Sequence, residues 1–236
     1  MMAAKPGLPS RSSAREVDAF LRTAARVPAL SQTKGRLVFA IDATMSRQPS
    51  WDRAMAIQAD MFTVAGEIGG LAVQLVYFRG VGEFHRSEWV TTPAALRGRM
   101  TGVACRGGLT QVNRVLQHTI AEAAREKIGA LVYVGDCFEE DAAVAAEHAG
   151  RLALLGVPAF MFHEGGNPAA RVVFQDIARL SGGVYATFDS GAARRLRELL
   201  NAAAVYAAGG LSALDDYGAR VGGEALRIAH ALGGKR

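Results

Sequence analysis

The stretch Asp42-Ala43-Thr44-Met45-Ser46 places a carboxylate and two hydroxyls on alternate positions directly after the apolar run RLVFAID (36–42). Two further oxygen-bearing side chains stand in comparable places. Thr110 lies in GGLTQVNRVL, just ahead of a helix-periodic segment, and Asp136 ends ALVYVGD (130–136). Carboxylate and hydroxyl oxygens are hard ligands that suit Mg²⁺ or Mn²⁺ rather than zinc. Only Asp42 and Asp136 of this set carry charge, so a divalent ion held by it would stay poorly neutralised and would attract an external carboxylate. Each member also has a plainer role, since Asp, Ser and Thr at strand-to-helix junctions form turns and N-caps. Capping by Thr110 and water-mediated metal ligation by it are compatible.

These residues need elements that bring them together. RLVFAID is a short, almost wholly apolar run of the kind that forms a strand buried on both faces. Residues 50–68 then carry Ala54, Ile57, Met61, Val64 and Ile68 on one helical stripe, stopped by Gly69-Gly70. LAVQLVYF (71–78) reads as a second buried strand, and GEFHRSEWV (82–90) as a half-exposed strand joined to it by a hairpin through Gly80 and Gly82. A short helix over 92–100 and a Gly-containing loop over 103–111 lead into a helix running to Glu126. Strands follow at 130–136, 157–163 and 183–188, separated by helices to about 154 and over 168–181, and a helix over 191–207 closes the series. Strands alternating with helices require crossover connections. The expected fold is therefore α/β: a Rossmann-like, doubly wound, mostly parallel sheet with one antiparallel edge strand and helices on both faces. In such sheets ligands bind at the carboxyl ends of the strands near the point where strand order reverses, which is where Asp42, Thr44, Ser46, Thr110 and Asp136 fall.

On these residues the chain resembles the von Willebrand factor A (VWA) family and its metal ion-dependent adhesion site, whose usual pattern is D-x-S-x-S followed by a distant Thr and a distant Asp. The resemblance runs from about 36 to 207 and includes DIARLSGGVYATFDSGAARRLRELL, which is similar to the family's last helix, strand and helix. Three positions depart from the pattern: Thr44 replaces a Ser, Leu109 separates the glycine pair from Thr110, and Cys137 stands where Gly often follows the Asp. None removes a ligand oxygen. The resemblance implies a Mg²⁺ or Mn²⁺ site formed by Asp42, Thr44, Ser46, Thr110 and Asp136, partly through water, with one coordination position left for an Asp or Glu of a partner protein. It further implies a protein-binding module, a subunit or regulator of a complex, rather than an enzyme. The competing reading is a metal-dependent phosphatase or hydrolase with Asp42 as nucleophile. Such an enzyme normally wants a second acid two residues on, where this chain has Thr44.

The rest of the chain narrows the setting. Residues 1–34 read as a polar leader and one amphipathic helix (14–27), 35–208 as the VWA-like domain, and 209–236 as a C-terminal extension of one or two helical turns packed on the core. A net charge of +5 with scattered basic residues is a weak argument for nucleic acid, and Arg194, Arg195 and Arg197 read as a solvated helix face. Two cysteines, Cys105 and Cys137, exclude a disulfide framework and favour a reducing, cytoplasmic compartment; their spacing does not argue for an activated thiolate. No apolar signal region and no membrane-length apolar run occurs, so a membrane is not an expected partner. His163 and Glu164 end the fifth strand and invite an acid–base reading, but such pairs more often line a loop. Phosphate-cradling and zinc-spacing motifs are absent, and Trp51 and Trp89 read as packing residues.

Overall fold

The computed structural model describes residues 34–189 and 192–234. The amphipathic helix expected at 14–27 lies outside the described residues. The elements follow as β1 (Gly35–Asp42), a 3-10 turn (Met45–Arg47), α1 (Gln48–Gly66), β2 (Leu71–Arg79), β3 (Glu83–Arg86), α2 (Pro93–Met100), α3 (Val112–Ala123), β4 (Ala130–Gly135), α4 (Ala142–Leu154), β5 (Ala159–Glu164), α5 (Pro168–Leu180), β6 (Val184–Phe188), α6 (Ala193–Val221) and α7 (Gly223–Gly233). The six strands form one sheet in the order β3-β2-β1-β4-β5-β6. All neighbours are parallel except β2 and β3. Strand order therefore reverses between β1 and β4, and the Asp42 and Asp136 loops leave the sheet side by side at that point.

Alternation along the strands builds the two layers. Leu37, Phe39 and Ile41 of β1 join Val132 and Val134 of β4, Phe160 and Phe162 of β5, and the inner faces of α1, α6 and α7. Val38 and Ala40 point the other way, with Leu131, Tyr133 and Met161, against α3, α4 and α5. A continuous apolar strand thus serves two cores at once, which is why β1 shows no polar alternation.

The antiparallel strand is shorter than GEFHRSEWV suggests. Its ladder pairs only Glu83 to Arg86 with β2. At Ser87 the side-chain hydroxyl accepts the Leu75 N–H at 3.0 Å, so a side chain takes the place of a ladder carbonyl. Val90 returns as an isolated bridge to Val73. The C-terminal segment holds more helix than its glycines suggest. Gly210 (φ 71) breaks α6, yet helix resumes to Val221, and Gly222 (φ 67) separates it from α7. Leu214, Ala225, Ile228, Ala229 and Leu232 are buried in the first core layer, so tertiary packing offsets the weak helix propensity of this stretch.

The arginines of α6 do more than face water. Arg195 pairs with Glu224 of α7 at 3.1 Å and Arg197 with Asp60 of α1 at 2.9 Å, while Arg194 pairs within the helix with Glu198 at 2.9 Å. Trp51 is buried and donates from Nε1 to the Met100 carbonyl at 3.2 Å. Trp89 lies under the Arg36 guanidinium, 3.9 Å from its ring centroid. Both tryptophans are packing residues. Among the described residues no helix is long and apolar enough to cross a membrane.

Helix α6 crosses the amino ends of β1 and β4 closely enough to demand glycine there. A Cβ on Gly129 would meet the Ala207 carbonyl oxygen at 2.6 Å and its Cα at 2.9 Å. Backbone cannot yield as a side-chain tip can, so Gly129→Ala is expected to cost about 1–3 kcal/mol, read as a lower urea midpoint with an unchanged slope.

Candidate functional site

Asp42, Thr44, Ser46, Thr110 and Asp136 all line one cleft of about 230 Å³, together with Met45, Gly107, Gly108, Cys137 and Glu139. The five candidate side chains, up to 94 residues apart in sequence, are therefore brought to one place by the carboxyl ends of β1 and β4 and the loop that precedes α3.

Asp42 is fully buried. Its Oδ1 accepts the Thr44 N–H at 2.7 Å, while Oδ2 has no hydrogen-bond partner among the described residues. Burial pushes its carboxyl up to about 6, against the opposing pull of hydrogen bonds from the Thr44 backbone and hydroxyl, and Asp136 adds to the rise. Asp136 is half-buried and its Oδ2 accepts from the Ser46 hydroxyl at 3.3 Å. Thr44 is half-buried and Ser46 exposed.

Thr110 is placed by two sets of contacts. Arg106 N–H donates to the Ala43 carbonyl at 3.0 Å, which ties the loop to the end of β1. Gly108 passes against the backbone of Gly80 in the β2–β3 turn so closely that a Cβ there would overlap the Gly80 carbonyl. Thr110 and Glu139 then hold each other: Glu139 N–H donates to Thr110 Oγ1 at 2.9 Å, and Thr110 N–H donates to Glu139 Oε2 at 3.4 Å. Leu109, the residue inserted before Thr110, projects from the rim and is 67% exposed. Its insertion leaves Thr110 in the cleft.

Helix α3 carries no side-chain cap of its own. Glu140 reaches across from the β4–α4 loop and accepts the Val112 and Asn113 N–H groups, the latter at 2.9 Å. A carboxylate at a helix N-terminus satisfies otherwise unpaired donors and favours the dipole. Glu140→Ala is expected to lower stability by about 1–2 kcal/mol, and amide hydrogen exchange should rise first at Val112 and Asn113.

Four participants were not foreseen from the sequence: Arg47, Ser50, Glu139 and Glu140. Arg47 is buried beside the cleft, 3.6 Å from Asp136 and paired with Glu164, which Ser50 also contacts. A lone basic residue next to three candidate ligands was the one available signal. His163 is fully buried; Nε2 faces the Asp136 carbonyl at 3.1 Å and Nδ1 the Tyr185 hydroxyl at 2.8 Å. The carbonyl can only accept, so Nε2 carries the proton and the tyrosine hydroxyl donates to Nδ1. Burial holds the ring below its ordinary range. Neither His163 nor Glu164 lines the cleft. Both cysteines are free, and burial raises both thiols, Cys105 to about 11.

Among the described residues no group of three or more His, Cys, Asp or Glu side chains is arranged to hold a metal. A site made of two carboxylates and three hydroxyls is outside that class. Asp42 lines the cleft, and its Oδ2, buried and without a partner among the described residues, is the kind of oxygen a hard cation would satisfy. The residues present fit a divalent cation of the Mg²⁺ or Mn²⁺ type.

The described architecture matches solved structures across most of the chain. The VWA domain of SpRpn10 aligns at TM-score 0.54 and 11% identity, covering 75% of this chain and 98% of that domain. The fold is von Willebrand factor A-like. An aerotolerance-related membrane protein from Bacteroides fragilis NCTC 9343 aligns with this VWA-like chain at TM-score 0.52 and 15% identity, covering 70% of this chain and 98% of that one. The pilus adhesin SpaC from Lactobacillus rhamnosus GG, in its open conformation, aligns at TM-score 0.59 and 12% identity over 74% of this chain and 30% of its own. Likeness at these identities establishes the fold. No family model matches the sequence, and no curated protein matches it significantly.

Proposed function

We propose that this VWA-like chain is a protein-binding module that engages an acidic residue of a partner protein through a divalent cation, as a subunit or regulator of a larger complex. Asp42, Thr44, Ser46, Thr110 and Asp136 would hold the ion, Mg²⁺ or Mn²⁺. The observation that carries the reading is a buried carboxylate oxygen, Asp42 Oδ2, without a hydrogen-bond partner among the described residues, on a residue that lines a cleft together with Thr44, Ser46, Thr110 and Asp136. When bound, the ion supplies positive charge that the chain neutralises only in part, and a position for an external carboxylate oxygen. The chain's own residues do the rest: Glu139 and Glu140 hold the Thr110 loop against the cleft, and Ser46 keeps Asp136 turned toward it. The two free cysteines support a reducing, cytoplasmic setting. Among the described residues no lysine lines the cleft, and Thr44 stands two residues after Asp42, which supports capture of a carboxylate over phosphoryl transfer.

Calorimetric titration with Mg²⁺ and Mn²⁺, in the presence of acetate as stand-in for the partner's acid, tests this. Saturable binding by the folded wild type, lost in both Asp42→Ala and Thr110→Ala, is the expected result. A folded wild type that binds neither ion under these conditions refutes the reading. Turnover of a generic phosphate ester that Asp42→Asn abolishes would favour the hydrolase instead.

A further inference from the structure

Arg47 follows directly on Ser46, yet its side chain turns inward and is only 3% exposed. Nη1 lies 3.6 Å from Asp136 Oδ2, the oxygen that also accepts from Ser46. Nη2 pairs with Glu164 Oε2, to which the Ser50 hydroxyl also donates. Nε has no hydrogen-bond partner among the described residues. A fixed positive charge thus stands against one of the two acidic candidate ligands, and its counter-ion, Glu164, is not part of the cleft lining.

A charge of this sign acts on a divalent cation in two ways. It repels the ion, and it competes for Asp136 Oδ2. Both effects are strong because the guanidinium is out of water, where screening is weak. We propose that Arg47 is a positioning residue that holds Asp136 back from direct contact with a divalent cation and so lowers the site's intrinsic cation affinity. The inference rests on the metal-site reading above and adds its regulation: cation capture is weak alone and is completed by the partner's acid. Arg47 suits this task because its planar fork reaches two carboxylates at once, and Glu164 with Ser50 fixes the half that faces away from the cleft.

The test compares Mn²⁺ affinity, by calorimetry at neutral pH, in wild type, Glu164→Gln and the double variant Arg47→Gln/Glu164→Gln, each shown to be folded by its thermal transition. Glu164→Gln strips the guanidinium of its counter-ion and leaves its charge to act on Asp136 alone, so affinity should fall. The double variant removes both charges, and affinity should rise on the order of tenfold over wild type. Water-proton relaxation of bound Mn²⁺ should report at least one fewer coordinated water in the double variant, as Asp136 joins the ion directly. A merely structural Arg47 would not move the two variants in opposite directions. Equal affinity in all three proteins, or weaker binding by the double variant, overturns the role of Arg47 while the metal site stands. Absence of Mn²⁺ binding from all three, with acetate present, overturns the metal reading and this inference together. Should the double variant not fold, unchanged or tighter binding by Glu164→Gln is sufficient to overturn the proposal.

Discussion

Arg47→Met is expected to destabilise the fold by about 3–5 kcal/mol. The variant leaves Glu164, which is 6% exposed, without the guanidinium that pairs with it. Ser50 remains as a donor, but one hydroxyl cannot replace an ion pair in a buried setting. Methionine fills a similar volume, so the loss reflects the orphaned charge more than a cavity. Adding Glu164→Leu should recover most of it, because an apolar pair of similar size makes no demand for a counter-charge. Urea denaturation of wild type, single and double variants measures the effect. A single variant within about 0.5 kcal/mol of wild type would mean that Glu164 is not held as an anion by Arg47.

Asp42→Asn should act in the opposite direction on stability while removing the proposed cation binding. The Asp42 carboxyl is pushed by burial up to about 6, above its ordinary 3.8. The native state therefore holds this proton more tightly than the unfolded chain does. The resulting stability is fully present below about pH 4 and is lost as pH rises through 6, so at neutral pH the buried anion costs the metal-free fold about 3 kcal/mol. Asparagine keeps the Oδ1 acceptor for the Thr44 N–H and removes the charge. In the presence of a chelator at pH 8 the variant should melt above wild type, with the difference shrinking toward pH 4.5. With Mg²⁺ in place of chelator, wild type should regain stability by mass action and the variant should not. A variant that is less stable than wild type at pH 8 would show that the anion is satisfied by the protein alone.

The fold was readable because its strands announce themselves. RLVFAID, LAVQLVYF, ALVYVGD and VPAFMFH are short and apolar without alternation, as two-sided burial requires, and helix-length periodic segments separate them. Where the reading fell short, a local preference met a tertiary one. Ser87 ends the β3 ladder by accepting the Leu75 N–H on its hydroxyl oxygen, a contact that strand propensity does not encode. Residues 209–236 are interrupted by glycines and read as one or two helical turns, yet burial of Leu214, Ile228 and Leu232 stabilises two longer helical segments.

For the candidate site, the sequence by itself determined which oxygen-bearing side chains stand where one cleft forms: Asp42, Thr44 and Ser46 after one strand, Asp136 after another, Thr110 ahead of a helix. It could do so because a parallel sheet sends all its carboxyl ends to one edge, making position along the chain equivalent to position in space. What only the tertiary structure decided is the electrostatic state of those donors. Arg47 meets Glu164 across 117 residues, and Glu140 caps a helix that begins 28 residues before it. Which charges meet in a buried region depends on how helices and loops pack over the sheet. Charge pairing at that range leaves no period or motif in the sequence.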